Sequence, residues 1–174
     1  IHASLAAQCA LEFAGDLPLI LAGDFNFRPG SSPYVLLTNG SLPEEHHDHP
    51  GDCEGWDLDS DLRVLRSAYY EKHQGGEPNF TNYSWTKEDD DPFIGTLDYI
   101  FLSKHPEVLQ VDRLPTIHES RDHLPHGHEP SDHLMISARL LPHGKAATQP
   151  ANGRMANSFQ RPEAKARPSN GNQP

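Results

Sequence analysis

The segment Leu19-Ile20-Leu21-Ala22-Gly23-Asp24-Phe25-Asn26, continued by Phe27-Arg28-Pro29-Gly30-Ser31, passes from apolar to polar within a single step. The run from Leu19 to Ala22 reads as a buried strand of a sheet covered on both faces. Asp24 and Asn26 stand two apart at its carboxyl end, and an extended backbone there would point both the same way. A carboxylate that only accepts, beside an amide that can donate, suits a phosphate and a metal-bound water. An ordinary Asp/Asn turn at a strand end would look the same.

Upstream, Leu5, Ala6, Cys9, Ala10 and Phe13 recur at helical spacing, and Gly15 supplies a stop. Helix, short turn, strand is an α/β unit with Asp24 and Asn26 beyond the strand's carboxyl end, where open α/β sheets place their sites. Downstream, Ser31-Ser32-Pro33 opens a second helix closed by Asn39-Gly40; the serines read as caps rather than nucleophiles. His46, His47 and His49 then lie among Glu44, Glu45, Asp48 and Asp52 without a recurrent ligand spacing, and read as a solvated loop. Asp57, Asp59 and Asp61 resemble a calcium loop, but Leu62 and Ala68 stand where Gly and Glu are required. They read instead as the acidic start of a helix with Leu62, Leu65, Ala68 and Tyr69 as its apolar stripe, ended by Gly75-Gly76.

Strands are expected at Phe80–Thr86, Gly95–Ser103 and Val108–Leu114, with a final one over Leu134–Leu140 that begins directly after His133. Asp98 is a carboxylate inside an otherwise apolar strand, which is costly unless it is hydrogen-bonded or paired. Asp24 with Asn26, Asp98, and Asp132 with His133 therefore all stand at strand ends. Carboxylates for a hard cation, an imidazole with a carboxylate to fix its tautomer, and an amide donor are the parts of metal-assisted phosphodiester hydrolysis.

The 174 residues suffice for one domain with a core, and the 35% hydrophobic share is below the globular norm of roughly 45–50%. Sixteen Pro and thirteen Gly point to many loops. A net charge of −11 argues against a broad electrostatic grip on nucleic acid, though a cation can neutralise an acidic site locally. Cys9 and Cys53 form no framework and are expected as reduced thiols of an intracellular, cytoplasmic protein. No stretch approaches the roughly 20 apolar residues of a membrane span. From His143 the composition turns to Pro, Ala, Asn, Gln, Gly and Ser with scattered cations, so residues 143–174 are expected to be a disordered tail behind a domain over 1–142.

The ordered motifs Gly-Asp-Phe-Asn (23–26), Thr-Leu-Asp-Tyr-Ile-Phe (96–101) and Ser-Asp-His (131–133) resemble the C-terminal half of the endonuclease/exonuclease/phosphatase superfamily. Phe80-Thr81-Asn82-Tyr83, Gly95 and Pro130 make the chain similar to the deadenylase-like branch of CCR4 catalytic subunit, nocturnin, angel and 2′,5′-phosphodiesterase proteins. The resemblance implies an α/β fold, half of a four-layer sandwich with two facing sheets and outer helices. It implies a magnesium-dependent (alternatively manganese-dependent) phosphodiesterase acting through metal-activated water on the 3′ end of RNA, with poly(A) as candidate tract.

By the same resemblance, Asp24 would orient the attacking water and Asn26 would donate to a non-bridging phosphate oxygen. Asp132 would assist the metal, His133 would contact the phosphate, and Asp98 would hold the other ring nitrogen. Phe93 matches a position where the branch stacks a substrate base. The main metal-ligating Glu and an Asn partner are expected upstream of Ile1, and Glu12 matches neither, so the chain is expected to be a fragment. A non-catalytic remnant that binds RNA or a partner, a DNA repair nuclease and a lipid or inositol phosphatase are the alternatives.

Overall fold

In a computed structural model, the described residues are 2–49, 64–73, 76–85, 91–120, 124–127 and 129–142. The acidic run at Asp57–Asp61, Cys53 and the tail from 143 lie outside them. The elements are α1 (His2–Ala14), β1 (Ile20–Asp24), α2 (Ser32–Asn39), β2 (Arg66–Ser67) and α3 (Ala68–Lys72), then β3 (Asn82–Ser84), β4 (Phe93–Gly95), β5 (Asp98–Leu102), β6 (Pro106–Val111) and β7 (Ala138–Pro142). Helices and antiparallel sheets are thus mixed in one α/β chain, as expected. The sheets run β1-β5-β2, β3-β4 and β6-β7.

The centre is β5. Tyr99 and Phe101 pack on one side with Ala7 and Leu11 of α1 and Tyr34, Leu36 and Leu37 of α2. Ile100 and Leu102 pack on the other with Ala68 and Tyr69 of α3 and Val108 of β6. Successive side chains of a strand alternate between faces, so a strand covered on both sides must be apolar throughout. Tyr99-Ile100-Phe101-Leu102 meets that demand, and all four are buried.

β1 does not. It pairs antiparallel with β5, from Ile20 opposite Leu102 to Asp24 opposite Asp98. Its five residues are mostly exposed, Ile20 at 54%. The expectation of a strand covered on both faces is therefore corrected: among the described residues β1 is the outer strand of its sheet, with β5 on one flank.

α1 forms over the expected residues, and Gly15 ends it at φ 56°, its N–H reaching the Leu11 carbonyl at 2.9 Å. Its buried face is Ser4, Ala7 and Leu11, whereas Leu5 is 44% and Phe13 94% exposed. The stripe expected at Leu5, Ala6, Cys9, Ala10 and Phe13 is therefore corrected: it is mostly exposed, and the opposite face turns inward. The small side chains of Ser4 and Ala7 allow close approach to the neighbouring layer, and they form the inner face. α2 opens with Ser31 at its N-cap and closes on Gly40 in the left-handed region at φ 84°.

Three further expectations shift. The helix expected to carry Leu62 and Leu65 begins only at Ala68; Arg66 and Ser67 pair instead with Leu102 and Phe101, and the Ser67 hydroxyl caps the helix start. The single strand expected over Gly95–Ser103 is two, because Thr96 and Leu97 turn between sheets: the Thr96 hydroxyl donates to the Pro78 carbonyl at 2.6 Å, and Leu97 N–H donates to Thr81 Oγ1 at 2.9 Å. The final strand starts at Ala138, five residues beyond His133.

Candidate active site

Antiparallel register places Asp24 directly across from Asp98. Residues so opposed share a face, which brings the two carboxylates together at the end of the β1–β5 pair. The third side chain comes from a different segment. Tyr83 N–H donates to the Asp132 carbonyl at 3.1 Å and Leu134 N–H to the Thr81 carbonyl at 2.7 Å, so residues 132–134 run alongside β3. That pairing sets His133 against Asn82. A hydrogen bond of 3.0 Å from His133 N–H to Ser131 Oγ tightens the approach.

The imidazole bridges the two carboxylates. His133 Nδ1 lies 2.8 Å from Asp98 Oδ2, while Nε2 lies 4.0 Å from Asp24 Oδ2. A carboxylate can only accept, so the Nδ1 proton points at Asp98 and Nε2 faces Asp24. Thr81, which is fully buried, donates from Oγ1 to the same Asp98 oxygen at 2.6 Å. Its Oγ1 in turn accepts from Leu97 N–H at 2.9 Å and Asp98 N–H at 3.1 Å. This answers the cost of an acid inside an apolar strand: Asp98 is held by a hydroxyl and an imidazole.

Asp24 Oδ1 accepts from Asn26 N–H at 2.9 Å. Asn26 has φ 54°, in the left-handed region that Asn tolerates better than most residues. The backbone therefore does not stay extended past Asp24, and the shared direction expected for the Asp24 and Asn26 side chains does not arise from strand alternation. Asp132 is joined to the group through Asn82, whose Nδ2 donates to Oδ2 at 3.3 Å. Phe93 stands apart on β4, with the Arg28 guanidinium carbon 4.7 Å above its ring centre.

Asp24, Asp98 and His133 are thus in contact, Asp132 is tied in by one amide, and Phe93 lies a strand away. Thr81 and Asn82 are the additions. Both fall inside the Phe80-Thr81-Asn82-Tyr83 motif, so their signal was present, but no role attaches to a Thr and an Asn until their partners are in place.

Partial burial works against the charged form of His133, but the hydrogen bond and charge of Asp98, with Asp132 and Asp24 adding, outweigh it and raise its pKa. The imidazolium form accordingly survives to higher pH than in a free histidine. Stability from this group is present below the unfolded-state pKa and lost as pH rises through the folded one. In metal-free NMR titration the His133 ring should titrate above the ordinary value of about 6.5, and Asp98→Asn should bring it down. An unshifted wild-type midpoint would contradict the charge arrangement.

Asp24 and Asp132 are acceptor-only carboxylates, the donor type that a hard divalent cation takes. A separate group, His46, His47 and Asp48, brings ligand-type atoms within 4.8 Å of one another on the loop after α2. Asp48 is held there by Ser32, and by His47 at 3.2 Å. It shares no residue with the Asp24–Asp98–His133 group, and two of its three donors are imidazoles, a softer set.

The family model described as the Endonuclease/Exonuclease/phosphatase family matches residues 2–133. The chain belongs to this family. It is 37% identical over 124 residues to 2′,5′-phosphodiesterase 12 of Homo sapiens, covering 62% of this chain and 18% of that protein. It is 35% identical over 134 residues to the CCR4-Not complex 3′-5′-exoribonuclease subunit Ccr4 of Aspergillus oryzae, covering 66% and 17%. The chain spans less than a fifth of the length of these curated relatives. The motifs that joined Asp24, Asp98 and His133 are therefore those of a family of phosphate-ester hydrolases, whose chemistry generally depends on a divalent metal. No helix among the described residues is long and apolar enough to cross a membrane.

Proposed function

We propose that this chain carries part of the active site of a magnesium-dependent phosphodiesterase that cleaves RNA from its 3′ end, with oligoadenylate as substrate. The single observation that carries this reading is the imidazole of His133, held at Nδ1 by Asp98 with Nε2 facing Asp24. Two relatives whose names specify 2′,5′-phosphodiester and 3′-5′ exonucleolytic activity support the substrate class.

Asp24 and Asp132 would hold the cation, which supplies Lewis acidity at the phosphate and lowers the pKa of water. Asp24, fixed by the Asn26 N–H, orients the attacking water. Nε2 of the charged His133 ring donates to a phosphate oxygen as negative charge builds there, and the Asn26 amide donates to a second. Asp98 and Thr81 keep the ring from turning, so that this donor is in position before the substrate arrives.

Incubating a full-length version of the protein with oligoadenylate should give shortening that requires magnesium, stops in EDTA and is lost in Asp24→Ala. Equal shortening by wild type and Asp24→Ala would reject the assigned site. Binding of the strand without cleavage, by a folded chain with magnesium present, would favour a binding role instead.

A further inference from the structure

Arg28 is not one of the residues assigned above, yet its placement is specific. Its guanidinium carbon sits 4.7 Å above the centre of the Phe93 ring. The space for this contact comes from Gly95. A Cβ at Gly95 would meet Phe93 Cζ at 3.2 Å and Arg28 Nε at 3.4 Å, tighter than ordinary van der Waals contact. Arg28 itself is exposed, and among the described residues its donors carry no hydrogen bond or ion pair. A guanidinium seated over an aromatic ring keeps donors available for a further partner.

The register of the β3–β4 pair sets where this cation faces. Asn82 is opposite Gly95 and Ser84 opposite Phe93, so all four residues share one face of the hairpin. On that face Ser84 Oγ donates to Asn82 Oδ1 at 2.9 Å, and Asn82 donates to Asp132. Arg28 therefore lies on the same surface as Asp132, about two strand spacings, roughly 10 Å, from the segment that carries His133. It is also two residues beyond Asn26 in the chain. In a protein of net charge −11 it is a cation placed beside an acidic site.

We propose that Arg28, seated on Phe93 in the clearance left by Gly95, binds the phosphate adjoining the scissile one in a single-stranded nucleic acid. The inference rests on the phosphodiesterase reading and deepens it: a substrate with a second phosphate gains a charge-assisted contact that a mononucleoside phosphate ester lacks. It also assigns the Phe93 ring a further part, since Arg28 occupies one of its faces and holds a guanidinium plane there.

The test is a salt titration of binding. A short oligoadenylate labelled at its 5′ end is bound to the full chain in EDTA, which keeps the strand intact, and anisotropy gives the dissociation constant at several salt concentrations. Arg28→Gln should bind roughly tenfold more weakly at low salt, and its log–log salt slope should be shallower by about 0.7, the release of one counterion from a single strand. Arg28→Lys should restore the slope while recovering only part of the affinity, because an ammonium lacks the planar seat on Phe93. Unchanged affinity in Arg28→Gln, or weaker binding with an unchanged slope, would overturn the assignment and leave the phosphodiesterase reading standing. A folded wild-type protein that does not bind the strand in EDTA would overturn the Arg28 assignment, while the phosphodiesterase reading stands or falls on the cleavage assay above.

Discussion

Replacing Asp98 by Asn should lower the turnover number on oligoadenylate by on the order of 10²–10⁴-fold, with KM changing far less. The carboxylate accepts the Nδ1 proton of His133 at 2.8 Å and the Thr81 hydroxyl at 2.6 Å through one oxygen. An amide of the same shape presents a donor as well as an acceptor. If its nitrogen faces the ring, the Nδ1 proton must move to Nε2 or the ring must turn, and the charge that favours imidazolium is gone in either case. The folded structure should survive, because Asp98 is partly exposed and its backbone pairing with Asp24 does not depend on the charge. Steady-state kinetics at saturating magnesium, paired with thermal denaturation, measure both. A turnover number within threefold of wild type would mean that His133 is not positioned by Asp98.

The second large effect is on stability. Phe101→Ala should lower the unfolding free energy by about 3–5 kcal/mol, read from the midpoint of urea denaturation. Phe101 is fully buried in the central strand β5. Its ring stands edge-on to Phe25 at 5.1 Å and stacks with Tyr99 at 5.1 Å between centroids. Phe25 and Phe27 flank Asn26, and the Tyr99 hydroxyl donates to the Phe27 carbonyl at 2.9 Å. The cavity would therefore open beneath the turn that carries Asp24 and Asn26, so activity should fall with stability. Leu109→Ala, at a 45% exposed position on β6, should cost well under 1 kcal/mol. Equal losses at the two positions would contradict the assignment of β5 as the core strand.

How far the chain alone discloses this site depends on what kind of physics fixes each part. The strand around Tyr99 to Leu102 is legible because burial on both faces requires an unbroken apolar run, and such a run is visible without coordinates. β1 carries a similar run but is an outer strand among the described residues, since pairing partners are a tertiary property that composition does not encode. The buried face of α1 was illegible for a related reason. A helix made of Ala, Leu, Cys and Phe offers several candidate stripes, and only its neighbours select Ser4, Ala7 and Leu11.

Within the site, Asp24, Asp98 and His133 stand out as charged or titratable groups at strand ends. Their meeting is set by the Asp24–Asp98 register and by the backbone bonds of residues 132–134 to β3. Thr81 and Asn82 escape notice because their side chains are neutral and common. Each becomes informative only when its partner, a buried carboxylate in one case and Asp132 in the other, is seen to depend on it. Asn26 is the opposite case: strand alternation holds only as far as Asp24, and two residues on φ turns positive.

The measurement that bears most directly on the account is single-turnover cleavage of a 5′-labelled oligoadenylate by wild type and His133→Ala, each with and without magnesium. Wild type with magnesium should give a ladder of products shortened from the 3′ end, EDTA should abolish it, and His133→Ala should be at least about 10²-fold slower. Cleavage by His133→Ala at the wild-type rate, or a wild-type ladder that persists in EDTA, would contradict the assigned site.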